Sequence, residues 1–249
     1  MTGNALAILE AGLAASATAA LAAGGIAYAA NWPTSQLFGR ALTAPRNPQS
    51  GPGEIALTFD DGPHPRWTPQ LLESLARHDI RATFFLLGKY AASQPRLVRE
   101  MHAAGHCIGN HTWTHPNLSR TSIRKTREEL ARTSSELDQI LGASIRFFRP
   151  PFGARRPATF RIARELNLVP ALWNAMTADW DATSPAQVTP RLTSLVERNQ
   201  KRTHATTIVL HDGSHRSFDV DRSASVAAAS QLIEHFRPTH RFVTLDTWT

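Results

Sequence analysis

The sequence predicts an α/β fold: a barrel, or a barrel-like closed sheet, of about seven parallel strands with helices outside it. Two observations predict it. From Glu54 onward, short apolar runs alternate with helical patterns, and such alternation implies a parallel sheet covered by helices. The chemically suggestive runs each fall at or just after the end of an apolar run, which is where folds of this kind gather their chemistry. A chain of 249 residues can bury one sizeable core, in one or two domains.

The expected strands, in order, are Ile55–Phe59, Ala82–Leu87, Cys107–Gly109, Phe147–Phe148, Leu168–Leu172, Thr207–Leu210 and Phe242–Leu245. Helices are expected between them. Thr68-Pro69 opens the first with a capping residue and then Pro at the first helical position, and Leu71, Leu72 and Leu75 form its apolar face. Pro95–Ala104 is the second. Ser122–Leu141 is long, with Leu130, Leu137 and Leu141 on one side. Pro157–Leu166 is the fourth. Ser184-Pro185-Ala186-Gln187 has the form of a capping box and opens the fifth, and Ser223–Phe236 is the sixth.

Three regions precede or contain these elements: a hydrophobic segment over 1–30, a linker over 31–53 and a domain over 54–249. Ala11–Ala30 is uncharged, rich in alanine and long enough to cross a bilayer, and Ala27-Tyr28-Ala29 resembles a small-residue cleavage site. No Lys or Arg precedes the stretch, whereas Arg40 and Arg46 follow it, which argues against export of what comes after. A membrane anchor or export signal is favoured over a helix lying on the domain. The expectation is a bacterial cell-envelope protein, membrane-associated through residues 11–30 or exported, with its orientation open. Residues 31–53 hold four Pro and three Gly, a linker composition.

The net charge is +7, but the Arg residues are scattered and no basic run is interleaved with aromatics. A solvated basic surface is expected, and nucleic acid is not. The single Cys107 excludes an internal disulfide and a Cys-rich zinc site, and it reads as a small buried hydrophobe.

Thr58-Phe59-Asp60-Asp61-Gly62-Pro63 places two carboxylates side by side at a sharp stop. Adjacent like charges are costly unless something positive sits between them. A metal ion held by one Asp, with its neighbour free to handle protons, satisfies that; an ordinary acidic turn is the alternative. His111-Thr112-Trp113-Thr114-His115 puts two His four apart, which on one face of a helical turn can grip one ion; a coincidence or a hydrogen-bonded surface pair is the alternative for the pair alone. Thr112 stands where a His-Glu-x-x-His motif carries its base, so a base must come from elsewhere. Together the two runs make a two-His, one-Asp site with open positions, the catalytic rather than the structural arrangement. Three further runs are individually ambiguous. Arg149-Pro150-Pro151-Phe152-Gly153 is a rigid turn with an Arg. Asp179-Trp180 is a loop acid beside an aromatic. Val209-Leu210-His211-Asp212-Gly213 ends a strand on a His suited either to general acid catalysis or to a structural role.

These five stretches, in this order, resemble the polysaccharide deacetylase family (carbohydrate esterase family four), from Glu54 to Leu245. The resemblance implies a distorted (β/α) barrel with fewer than eight units. It also implies removal of acetyl groups from N-acetylglucosamine units, or of esters from xylan, with zinc or a similar divalent ion. It makes Asp60 the catalytic base, and Asp61, His111 and His115 the metal ligands. Arg149 becomes the partner that holds the base, and Phe152 the residue whose backbone N–H helps hold the oxyanion. Asp179 orients the catalytic His, Trp180 lines the pocket, Val209 lines the acetyl pocket and His211 is the general acid. Two positions depart from the family pattern: Met176 where many members have a further Asp, and Val209 where Leu is usual. The expected partner is an N-acetylated glycan, peptidoglycan or chitin-like, with the polymer left open. Zinc is the expected ion, and cobalt or nickel can replace it. The competing readings are a non-catalytic glycan-binding protein on the same barrel, a glycoside hydrolase and a metal-dependent phosphoesterase.

Overall fold

The computed structural model describes residues 18, 21, 24–46 and 51–249. A single all-parallel sheet organises them. Its strands are β1 (Gly53–Gly62), β2 (Thr83–Leu86), β3 (Cys107–Asn110), β4 (Phe147–Phe148), β5 (Val169–Pro170), β6 (Ala175–Met176) and β7 (Ala205–His211), in the spatial order β5-β4-β3-β2-β1-β7-β6. A short β8 (His240–Phe242) pairs with the first residues of β1. β1 is central. Glu54–Asp60 pairs residue for residue with Ala205–His211, which sets Asp60 directly opposite His211, and its C-terminal half pairs with β2.

Side chains alternate along β1 as the strand period requires. Ile55, Leu57 and Phe59 enter the main core together with Leu71, Leu75, Leu130, Leu192 and Leu232 of the helices. Ala56 faces the other way, into a second cluster with Phe85, Phe147 and Ala171. By the same alternation Thr58 and Asp60 face the inside of the curl. Asp60 is therefore aimed inward by the same pattern that buries the strand's other face. Both faces are covered, which is why Ile55–Phe59 of β1 reads as a nearly continuous apolar run, broken only by Thr58.

The sheet is not closed. It curls into a half-barrel whose edges are β5 and β6, and residues 171–174 carry the chain from one edge to the other. In that opening lies a piece of the N-terminal segment. Leu42 N donates to Pro170 O at 2.8 Å, Leu172 N donates to Leu42 O at 2.9 Å, and Thr207 Oγ1 donates to Thr43 O at 2.8 Å. All seven expected strands are present, with ends shifted by at most three residues and Phe147–Phe148 unshifted. β6 was not expected, because two residues, one of them the exposed Met176, make no apolar run.

The helices differ from expectation mainly at their starts. The first, α1 (Trp67–Arg77), begins before Thr68, whose hydroxyl accepts from His64 N and donates to Asp212 instead of capping. A short α2 (Gly88–Ser93) was not expected, and α3 is Pro95–Ala103. Ser122 does cap α4 (Ile123–Leu141), accepting from Lys125 N, and Gly142 ends it in the left-handed region. α5 is Pro157–Glu165. The capping box at Ser184–Gln187 does not form: Gln187 Oε1 accepts from Thr183 N, residues 185–187 make a single 3-10 turn, and α6 starts at Thr189. α7 is Ser223–Phe236.

Among the described residues the long hydrophobic helix expected ahead of the domain is not found. Residues 24–31 are helical, and among the described residues no helix is long and apolar enough to cross a membrane. Most of Ala11–Ala30 lies outside the described residues.

Candidate active site

The end of β1 separates the two adjacent carboxylates. The β1–β2 register shifts between Asp60 and Gly62, and Asp61 takes a positive φ of 70°. Gly213 packs against the Asp61 carbonyl so closely that no Cβ would fit there. Asp60 stays on the ladder and points inward, whereas Asp61 is thrown off it. Asp60 Oδ1 accepts from Arg149 Nη1 at 2.8 Å. The Arg149 guanidinium has no solvent exposure. Its other donors reach Thr58 Oγ1 (2.6 Å) and Leu172 O (3.2 Å), and its plane lies 4.1 Å from the centre of the Phe85 ring. A buried guanidinium is costly unless its N–H groups are paired, so Arg149 and Asp60 hold each other in place.

Asp61 faces the imidazoles. His115 Nε2 lies 3.2 Å and His111 Nε2 3.6 Å from Asp61 Oδ1, and that buried oxygen has no hydrogen-bond partner. His111 Nδ1 donates to Arg149 O at 2.8 Å, which leaves Nε2 as the lone-pair nitrogen turned toward Asp61. Burial pushes both imidazoles down, His115 to about 2, so they stand as neutral ligands. Burial opposes ionisation of Asp61, but the His215 side chain and the imidazoles of His115 and His111 outweigh it and hold the carboxyl well below the usual range. An orphaned carboxylate oxygen beside two neutral imidazole nitrogens fits a divalent ion of the transition series.

The two His do not share a helical turn. Thr112 and His115 have φ of 70° and 65°, and the loop is tied by side chains. Asn110 Oδ1 accepts from Thr112 N, and Thr112 Oγ1 accepts from His115 N. Glu129 of α4, 1% exposed, accepts from Trp113 N (2.8 Å), Thr114 N (2.7 Å) and Thr114 Oγ1 (2.8 Å).

Across the site, His211 Nδ1 donates to Asp179 Oδ1 at 2.9 Å, and Asp179 Oδ2 accepts from His211 N (2.8 Å) and Ser225 Oγ (2.7 Å). Burial alone would lower the imidazole pKa. The Asp179 charge and hydrogen bond overcome this and hold it at about 9. With Nδ1 engaged, Nε2 is the nitrogen left for other chemistry. A cavity of about 530 Å³ joins the two halves. Asp60, Asp61, His111, His115, Phe152, Trp180, Val209 and His211 all line it, while Arg149 and Asp179 stand behind and hold lining residues. Phe152 and Trp180 are 55% and 40% exposed at its rim, with Trp180 edge-on to His211.

A family model described as polysaccharide deacetylase matches residues 47–171. A chitooligosaccharide deacetylase of Azorhizobium caulinodans is 34% identical over 71% of this chain and 80% of its own length. The chain belongs to the polysaccharide deacetylase family. A peptidoglycan-N-acetylglucosamine deacetylase of Bacillus cereus is 39% identical over 56% of this chain, a match that spans 52% of that relative's length. A solved peptidoglycan N-acetylglucosamine deacetylase, in complex with 4-naphthalen-1-yl-N-oxidanyl-benzamide, superposes with a TM-score of 0.71 at 32% identity, covering 80% of this chain and 90% of that one.

The model match ends before Asp179, Trp180, Val209 and His211, so it is the β1–β7 pairing and the β6 loop that bring the second half of this deacetylase-family site to the first. Sequence reasoning missed two residues of the site. Glu129 was hidden on the buried face of α4, where an acid beside Leu130 was the available signal. His215 lies four residues after His211, the spacing of His111 and His115. Its Nδ1 is 3.5 Å from Asp61 Oδ2 and its ring stacks on His115 at 4.2 Å. One donor atom from each of Asp61, His115 and His215 lies within 4.8 Å of the others. Lys89 Nζ holds this loop by donating to His215 O at 2.8 Å. Cys107 is half-buried, and burial pushes its thiol up to about 12, an inert group.

Proposed function

We propose that this chain is a metal-dependent hydrolase that removes acetyl groups from N-acetylated sugars of a polysaccharide, peptidoglycan or chitin-like. The observation that carries the reading is the division of labour between neighbouring carboxylates. Asp61 offers an unpaired oxygen to two imidazoles, while Asp60 is clamped by Arg149 beside His211 on the neighbouring strand. Asp61, His111 and His115 would hold the ion, with zinc the best match to one oxygen and two nitrogen donors. A divalent ion bound there supplies a water of lowered pKa and polarises the acetyl carbonyl.

The remaining chemistry belongs to the protein. Asp60 accepts the proton of the attacking water, and Arg149 keeps its carboxylate turned toward the cavity. The backbone N–H of Phe152, at the cavity edge, is the donor for the oxyanion that develops on the acetyl carbon's oxygen. An amine leaves only once it is protonated. His211, held as imidazolium with Nδ1 on Asp179, delivers that proton from Nε2. The exposed Phe152 and Trp180 rings offer apolar faces to sugar rings, and the buried Val209 closes the cavity where a methyl group would rest. The test is acetate release from a panel of N-acetylated glycans, with and without chelator. Chelator-sensitive release from a glucosamine-type polymer supports the reading. Glycan binding without release, or release of new reducing ends, overturns it.

A further inference from the structure

Arg155 is fully buried, and among the described residues it has no carboxylate partner. Its guanidinium donates to backbone carbonyls instead. Nη1 reaches Gly153 O at 2.8 Å, and Nη2 reaches Trp32 O at 2.7 Å and Ser35 O at 2.9 Å. Its own backbone N donates to Ala30 O at 2.9 Å. One side chain thus ties the loop after β4 to a segment more than a hundred residues earlier. Burying a guanidinium is costly unless its N–H groups are paired; both terminal nitrogens of Arg155 are paired with strap or loop carbonyls, and its buried Nε has no acceptor among the described residues.

The loop it grips is strained. Phe152 has φ 59° and Gly153 φ 65°, two successive left-handed residues, the first with a Cβ. Such a residue is disfavoured and persists only where its surroundings over-determine it. Pro150 and Pro151 constrain the loop from before, and Arg155 constrains it from after. Gly153 leaves little room: a Cβ there would meet the Trp173 ring at 3.1 Å and Asn31 O at 3.7 Å. The earlier segment is anchored a second time, where Leu42 and Thr43 bond to Pro170, Leu172 and Thr207 in the opening of the half-barrel.

We propose that residues 30–43 are a working part of the catalytic domain rather than a linker to it, and that Arg155 is a positioning residue. It clasps this strap against the Pro150–Gly153 loop and so fixes the Phe152 backbone N–H at the cavity. The role given to that N–H rests on the deacetylase reading; the clasp does not. Losing one oxyanion donor lowers kcat by about 10²–10³, and displacing it by an ångström costs on the order of 10².

The test uses the full chain with Arg155→Met and Arg155→Lys. Four readouts are taken: kcat and KM for acetate release, metal affinity, and hydrogen exchange of the amides over 30–43 and 151–155. Arg155→Met is expected to lower kcat roughly tenfold to a hundredfold with KM within about twofold. Metal affinity is expected to stay unchanged, because the ligands sit on other elements, and exchange should quicken in both segments together. Arg155→Lys keeps the charge and some donors, so it should fold even if the Met variant does not, and it should fall between Met and wild type in kcat. Unchanged kcat with a loosened strap overturns the positioning role, as does a joint loss of kcat, KM and metal affinity. If the wild type releases no acetate, the deacetylase reading fails instead. The exchange data then decide the clasp alone: coupled loosening upholds it, and loosening of one segment or neither overturns it.

Discussion

Replacing Asp179 by Asn removes one charge and keeps the side chain's shape. In the native protein the His211 imidazole, with an ordinary pKa of 6.5, is held at about 9. That interval corresponds to about 3 kcal/mol in favour of the imidazolium. Its sign follows from linkage: this contribution to stability is fully present below pH 6.5 and is lost as the pH rises through 9. In the Asn variant burial, which lowers the imidazole pKa, is opposed only by the smaller attractions of Asp61 and Asp60. The amide NH₂ group also offers Nδ1 a donor in place of an acceptor, which inverts the tautomer. At pH 8 the imidazolium fraction falls from about nine-tenths to a few hundredths, so kcat/KM falls by about thirtyfold or more from protonation alone. A bound divalent cation lowers both values in the same direction and leaves their order intact. The assay is the pH profile of kcat/KM for both proteins, with imidazole titration by NMR alongside. The alkaline limb should move to lower pH in the variant. Superimposable alkaline limbs would refute the reasoning.

Glu129→Ala leaves Trp113 N and Thr114 N without their buried acceptor. Chemical denaturation should show a loss of about 2–4 kcal/mol, and metal affinity should drop roughly tenfold or more as His115 loses its support; unchanged affinity would separate that loop from the metal site. His215→Ala, which frees Asp61 Oδ2 and unstacks His115, should weaken metal retention about tenfold in a chelator competition, and an unmoved midpoint would make the contact incidental. Adding zinc to chelator-treated protein should raise its melting temperature in proportion to the logarithm of the metal concentration. His115→Ala should abolish that dependence.

Much of the site was legible because parallel strands end where chemistry gathers. Asp60, His111, Arg149 and His211 each lie at or just beyond the C-terminal end of a readable apolar run, and the structure brings Asp60, His111 and His211 to one cavity with Arg149 behind Asp60. What escaped has physical reasons. β6 is a small Ala followed by the exposed Met176, whereas the equally short β4 is two buried Phe that stand out in the sequence. His111 and His115 have helical spacing but occupy a loop, because Asn110, Thr112 and Glu129 take up its backbone groups, and tertiary partners of that kind leave no local pattern. The open edge between β5 and β6 was hidden because the residues that occupy it, Leu42 and Thr43, sit in a stretch whose Pro and Gly content reads as linker. Arg155 was passed over as one Arg among many. Its total burial is a property of the assembled fold.

The central claim is that neighbouring carboxylates have different tasks, Asp61 holding the ion and Asp60 moving the proton. The most direct measurement is metal content, by mass spectrometry, of purified Asp60→Asn and Asp61→Asn, each paired with acetate release. The account predicts that Asp60→Asn keeps about one ion per chain with turnover abolished, and that Asp61→Asn loses both. An Asp60→Asn protein stripped of metal, or one that still turns over at the native rate, would contradict it.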